Sequence, residues 1–205
     1  MGQRLESASK EVLSGAVGQL AGELQAGRVY RRDELARLST SVDRHLRQLM
    51  SCGRLRKLAQ GLYYAPRVSS LGLLPPDDAV VVEGFLRDKD FLIFSPSAYN
   101  MLGLGTTQLY NRTLVYNHKR HGLFKLGNRQ FDFRVKPRFP KRLTSEFLFV
   151  DLLNNLDELA EERDEVLMRA RQKLDSLDRE RLWRAIERYG SAATRRRLEG
   201  WGVGG

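Results

Sequence analysis

An α+β fold is predicted by three features of the sequence. Residues 28–64 run as a short strand, two short helices and a basic hairpin. Residues 113–135 hold three short strands, and residues 144–190 hold helical periodicity with few breaks. The first of these has the element order of a winged helix-turn-helix. The chain therefore reads as an N-terminal winged helix-turn-helix followed by a small mixed α/β domain with a helical C-terminal part.

The elements follow in order from spacing. From about Ser7 to Leu24, Val12, Leu13, Ala16, Val17, Leu20 and Leu24 recur at helical spacing, and Gly27 closes the helix. Gly15, Gly18 and Gly22 weaken it by ~1 kcal/mol each relative to alanine. Arg28-Val29-Tyr30 is a strand fragment. Arg31 to Leu38 is a short helix with Leu35 and Leu38 as its apolar positions, and Ser39-Thr40-Ser41 supplies three candidate N-caps for the next one. In that next helix, Val42 to about Ser51, Val42, Leu46, Leu49 and Met50 share one face. Thr40, Arg44, Arg47, Gln48 and Ser51 lie opposite. Gly53 stops it. Leu55–Leu58 and Leu62–Tyr64 are strand signals joined by Ala59-Gln60-Gly61, which makes a wing carrying Arg54, Arg56 and Lys57.

Residues 1–67 are assigned to the first domain. Residues 68–76, with Ser69-Ser70, Gly72 and Pro75-Pro76, read as a linker. Residues 77–190 form the second domain and 191–205 a basic, glycine-rich tail. Within the second domain, Asp77 opens a helix through Val81, Val82, Phe85 and Leu86; Phe91–Phe94 is an apolar strand; Ser95-Pro96-Ser97 caps a further helix. Thr113–Tyr116, Gly122–Leu126 and Arg129–Val135 are strands, the last two joined by the tight Gly127-Asn128 turn. In the third strand Phe131, Phe133 and Val135 alternate with Gln130, Asp132 and Arg134. Thr144 caps a long helix reaching Leu159, with Leu143 and Leu148 as a hydrophobic staple. Val166–Leu177 and Glu180–Tyr189 are amphipathic helices, the second ending at Gly190.

Composition bounds the function. The net charge is +10. Residues 1–67 carry 12 Lys and Arg against 6 acids, residues 68–142 again 12 against 6, and residues 143–205 carry 11 against 13. A positive field of this kind attracts nucleic acid, anionic membrane or acidic protein. Cys52 is the single cysteine, which excludes an internal disulfide and a cysteine-cluster zinc site. No run of about 18 apolar residues and no signal-peptide core are seen, so a cytoplasmic protein that does not span a membrane is expected.

Few residues suggest catalysis. Asn117-His118-Lys119-Arg120-His121 could be a general base beside phosphate-binding cations or a metal site, but it reads as a basic turn between strands. Leu102-Gly103-Leu104-Gly105-Thr106-Thr107 lacks phosphate-loop spacing, and no nucleophile motif occurs. Asp151 with Asn154 and Asn155 reads as interhelical hydrogen bonding. No cofactor, no metal and no enzymatic activity are expected. The DNA-contacting set is Thr40, Ser41, Arg44, Arg47 and Gln48 for the major groove and Arg54, Arg56, Lys57 and Gln60 for the wing. A second nucleic-acid or partner surface is expected from Arg112, His118, Lys119, Arg120, His121, Arg134, Lys136 and Arg138. Arg129, Lys141 and Arg142 lie in the same stretch, with Asp132 as counter-charge.

Several stretches together resemble a known family. They are Arg31-Arg32-Asp33-Glu34-Leu35-Ala36, Arg44-His45-Leu46-Arg47-Gln48-Leu49 and Gly61-Leu62-Tyr63-Tyr64. To these add the run from Ala98 to Gln108, the run from Tyr116 to Gly122, and Glu146 to Asn155. Over about residues 8–165 they resemble AbiEi-like antitoxins of bacterial type IV toxin–antitoxin systems. The resemblance implies an autorepressor whose winged helix binds double-stranded DNA at its own promoter. Winged helices often read an inverted repeat as a homodimer, yet one module could also bind two half-sites independently. It also implies a second domain that counters a neighbouring nucleotidyltransferase-like toxin. The alternatives are a nucleic-acid-acting enzyme using His118 or His121, and a DNA-binding accessory protein of a defence system.

Overall fold

The computed structural model describes residues 13–104, 113–159 and 162–203 of a mixed α/β protein with two bodies. One comprises residues 1–89 with 125–129, and the other 90–124 with 130–205.

In the first body the order is α1 (Gly15–Gly22), β1 (Val29–Arg31), α2 (Arg32–Ala36), α3 (Val42–Ser51), β2 (Arg56–Ala59) and β3 (Leu62–Tyr64). The three strands form one antiparallel sheet in the order β1-β3-β2. Leu20, Leu35, Leu46, Leu49 and Leu55, each at most 2% exposed, share one core with Val17, Val42, Tyr30 and Tyr63. Three sequence expectations are corrected here. The part of the first helix before Leu13 lies outside the described residues, and the helix ends at Gly22 rather than at Leu24, so Gly27 does not close it. Gly27 instead adopts φ +90° and donates its N–H to Ala65 O at 2.7 Å. The second helix stops at Ala36, which leaves Leu38 half exposed rather than in the core.

The third correction concerns residues 68–76. They are not an open linker, because Arg67–Ser69 (β4) and Gly72–Leu74 (β5) pair antiparallel as a hairpin. Ser69 Oγ accepts the Leu71 N–H, and Gly72 supplies the positive φ that the turn needs. The first body also extends beyond residue 67, to Lys89, because α4 (Asp78–Leu86) packs on β1. The Asp77 carboxylate caps α4 by accepting the Ala79 N–H at 2.8 Å. The Arg31 guanidinium donates to the carbonyls of Gly84 and Phe85 at the other end of α4. Close approach is possible only because residue 84 has no side chain: a Cβ there would lie 2.6 Å from Val29 Cγ1. Val29 is buried and β-branched, so it has no spare rotamer into which to move. Gly84→Ala is accordingly expected to lower stability by ~1–3 kcal/mol, read as a fall in the thermal midpoint.

β6 (Phe91–Phe94), β7 (Thr113–Asn117), β8 (Gly122–Leu126) and β9 (Arg129–Val135) form a four-stranded sheet in the order β6-β7-β9-β8, which belongs to the second body apart from residues 125, 126 and 129. β6 and β7 are antiparallel, whereas β7 and β9 are parallel, with Thr113 opposite Phe131 and Asn117 opposite Val135. In β9, Phe131 and Phe133 are fully buried, as the alternation predicts, while Val135 at the strand end is half exposed. Ser95 caps a 3-10 helix, Pro96–Leu102, by accepting the Ser97 N–H.

Thr144 Oγ1 accepts the Phe147 N–H and opens α5 (Ser145–Asn154), whose residues 146–153 are all buried. α5 ends at Asn154, earlier than its periodicity predicts, and Leu156–Glu158 continues as a 3-10 turn. α6 (Arg163–Lys173) and α7 (Arg179–Tyr189) follow. Residues 191–203 are no tail: α8 (Ala192–Gly200) packs on α5 and α7 and buries Thr194 and Leu198 completely. Ser191 caps it through the Thr194 N–H, a signal present in the sequence at Ser191-Ala192-Ala193-Thr194. No helix among the described residues is long and apolar enough to cross a membrane.

Candidate nucleic-acid interface

The amphipathic pattern of α3 divides it cleanly. Val42, Leu46 and Leu49 face the core together with His45, which is 3% exposed, while Asp43, Arg44, Arg47, Gln48 and Ser51 are exposed. Met50 is only partly buried. Thr40 is exposed and Ser41 half-buried. Neither hydroxyl caps the helix. Ser41 stands at the N-cap position without a side-chain cap bond, and the hydroxyl that organises the turn is that of Ser39. It lies 2.7 Å from His45 Nδ1 and accepts the Ser41 N–H at 3.3 Å. The physical reason is burial: the imidazole in the core needs a hydrogen-bond partner, and Ser39 is the nearest hydroxyl. Ser39→Ala leaves that nitrogen unpartnered and is expected to cost ~1–3 kcal/mol of stability, measurable by denaturant titration.

The exposed face is held by charge. Arg32 of α2 grips Asp43 in a bidentate pair, Nε to Oδ1 at 2.8 Å and Nη2 to Oδ2 at 2.6 Å. The Arg32 guanidinium holds the Asp43 carboxyl below its ordinary range. Arg47 Nε donates to the Asp43 carbonyl at 3.3 Å. Arg44, Arg54 and Arg56 are exposed and make no ion pair among the described residues. In the hairpin, Lys57 Nζ donates to Gln60 Oε1 at 2.9 Å beside Gly61, whose φ of +71° forms the turn. The register slips between Lys57 and Ala59, a bulge that adds twist to the hairpin. The chain thus sets Arg44, Arg47 and Gln48 on one rigid helix face. Arg54, Arg56, Lys57 and Gln60 are exposed on the segment and hairpin that follow it.

The expected second surface is only partly available. Arg112 lies outside the described residues. Arg134 is committed to carboxylates, with its guanidinium bonded to Asp132 and Glu158 and its side chain 13% exposed. It is withdrawn from the candidate cations, and Glu158 is a counter-charge that proximity in sequence does not reveal. Lys136 lies with Nζ 5.1 Å from the Tyr116 ring centre. His118 stacks on Phe139 at 4.7 Å and meets the Asp90 carboxylate at 3.3 Å. Lys119, Arg120, His121 and Arg138 are exposed. The buried Asn117 shapes this loop, its Oδ1 accepting the N–H groups of Lys119 and Arg120. Among the described residues no group of three or more His, Cys, Asp or Glu could hold a metal ion.

The second body holds a buried polar centre. Asp151 is 2% exposed and accepts hydrogen bonds from the Tyr99 hydroxyl at 2.7 Å and the Tyr116 hydroxyl at 2.9 Å. Burial raises its pKa above the ordinary carboxylate value, against the opposing pull of the two hydroxyls and the charges of Lys136 and Arg134. Burial likewise raises the Tyr116 hydroxyl far above the ordinary tyrosine value. Asn154 bonds the α7–α8 junction through Tyr189 O and the Ser191 N–H, each at 2.8 Å, which is the interhelical role read from the sequence. The signal for the tyrosine pair was weaker: a lone acid inside the apolar run Phe147–Leu153 announces a buried partner without naming it.

Fold and surface together define a mixed α/β protein with an exposed basic helix-and-hairpin face. No protein-family model matches the chain, and no curated protein matches it. A solved structure does: the RV2827C protein from Mycobacterium tuberculosis superposes with a TM-score of 0.53 at 18% identity, covering 92% of this chain and 75% of that one. At that identity the likeness is one of fold.

Proposed function

We propose that the first body is a winged helix-turn-helix that binds double-stranded DNA. On this reading α3 enters the major groove and the β2–β3 hairpin is the wing. The observation that carries the proposal is the exposed face of α3, where Arg44, Arg47 and Gln48 stand clear while Val42, His45, Leu46 and Leu49 are fixed in the core. Arginine pairs with guanine O6 and N7 and glutamine with adenine N6 and N7, so this face has the donors and acceptors that base-edge reading needs. The sheet order β1-β3-β2 and the basic hairpin support the same assignment. The motif resemblance supports placing the chain among AbiEi-like antitoxins, as a cytoplasmic autorepressor of its own promoter that opposes a nucleotidyltransferase-like toxin and has no catalytic role. Binding of the purified protein to its promoter fragment, with a random fragment as control, tests the DNA half. Relief of toxicity of the adjacent gene product on co-expression tests the other half.

A further inference from the structure

Both tryptophans of the chain, Trp183 and Trp201, are half-buried in the helical part of the second body. They line a cleft of about 280 Å³ whose apolar walls are Leu174, Leu182 and Val203. A second, more open cleft of about 600 Å³ adjoins it and presents Met168, which is 57% exposed. Trp201 and Asp175 line both, so the two clefts form one groove along α6, α7 and α8.

The charges along this groove are unequal. Arg171, Arg179 and Arg197 line it and make no ion pair among the described residues. Of the two lining acids, Glu180 is paired with Arg184 and only Asp175 is left to oppose the arginines. An apolar floor of tryptophan and aliphatic side chains with an arginine rim suits an inserted apolar side chain flanked by carboxylates. A nucleic-acid strand fits less well, because its phosphates would pass Asp175 where the two clefts join.

We propose that this groove docks an acidic, apolar-anchored peptide segment of a partner protein. The proposal is independent of the DNA-binding reading. Since the groove holds the only two tryptophans in the chain, intrinsic fluorescence of the whole protein reports its occupancy directly. The probe is a tryptophan-free amphipathic peptide of roughly four helical turns, with Leu and Phe on one face and Glu on the other. A saturable change in tryptophan emission is expected. Arg171→Glu with Arg197→Glu should weaken it by about tenfold or more. Met168→Glu, a change at a position 57% exposed, should weaken it as well. Thermal melts of all variants establish that they are folded. No saturable change with the acidic peptide, an equal response to its lysine counterpart, or a stronger response to oligo(dT) would overturn the proposal.

Discussion

Arg44→Ala combined with Arg47→Ala is expected to reduce affinity for the promoter by a hundredfold or more, with no loss of fold. Each arginine that reads a base is worth ~1–3 kcal/mol, and two in one helix face approach the whole margin between specific and random DNA. Both side chains are exposed and neither packs in the core, so thermal midpoints should hold. On the proposed reading the hairpin cations behave differently. Arg54→Ala, Arg56→Ala and Lys57→Ala should weaken specific and random DNA alike, and each should flatten the dependence of log affinity on log salt by about one phosphate contact. Competition titrations at two salt concentrations separate the two kinds of loss.

The second large effect is on stability. Asp151→Ala removes the acceptor to which both buried tyrosine hydroxyls donate and opens a void beside Tyr99 and Tyr116, and it should cost ~3–5 kcal/mol. Asp151→Asn keeps the shape and a hydrogen-bonding oxygen while removing the buried charge. The sign with pH follows from the raised pKa. In the unfolded chain Asp151 ionises near pH ~4, whereas in the folded protein it stays protonated to higher pH. Its contribution is therefore most favourable below the unfolded value and declines as pH rises through the window up to the folded value. The asparagine variant lacks that decline. Its stability relative to the parent should rise with pH across the window and level off above it, as read from paired urea titrations. A difference that does not vary with pH would show that Asp151 carries no excess proton in the folded state.

The sequence disclosed what local rules control. α3 was legible because its apolar spacing and the stop at Gly53 agree, and β8–β9 because Gly127-Asn128 marks a two-residue turn. The Asp77 and Thr144 caps were legible for the same reason. What escaped depends on distant partners. The Ser39–His45 bond replaces the expected N-cap because His45 is drawn into the core, a fact of packing rather than of periodicity. The boundary moved to Lys89 because Gly84 admits β1 against α4, and a lone glycine in a helix does not say what approaches it. Arg134 left the basic surface because Glu158, 24 residues away, reaches its guanidinium. Of the candidate site, the exposed face of α3 and the hairpin cations were readable from spacing alone, and the pairing of Arg32 with Asp43 across the turn was not.

The proposed DNA-binding role rests on base contacts from α3. Its most direct test is a quantitative footprint of the protein on its own promoter, comparing the parent with Arg44→Ala and Arg47→Ala. A protected site is expected in the parent and loss of discrimination at particular base pairs in each variant, with random-fragment affinity nearly unchanged. A footprint identical in all three proteins, or none in the parent at any salt concentration that keeps it folded, would contradict it.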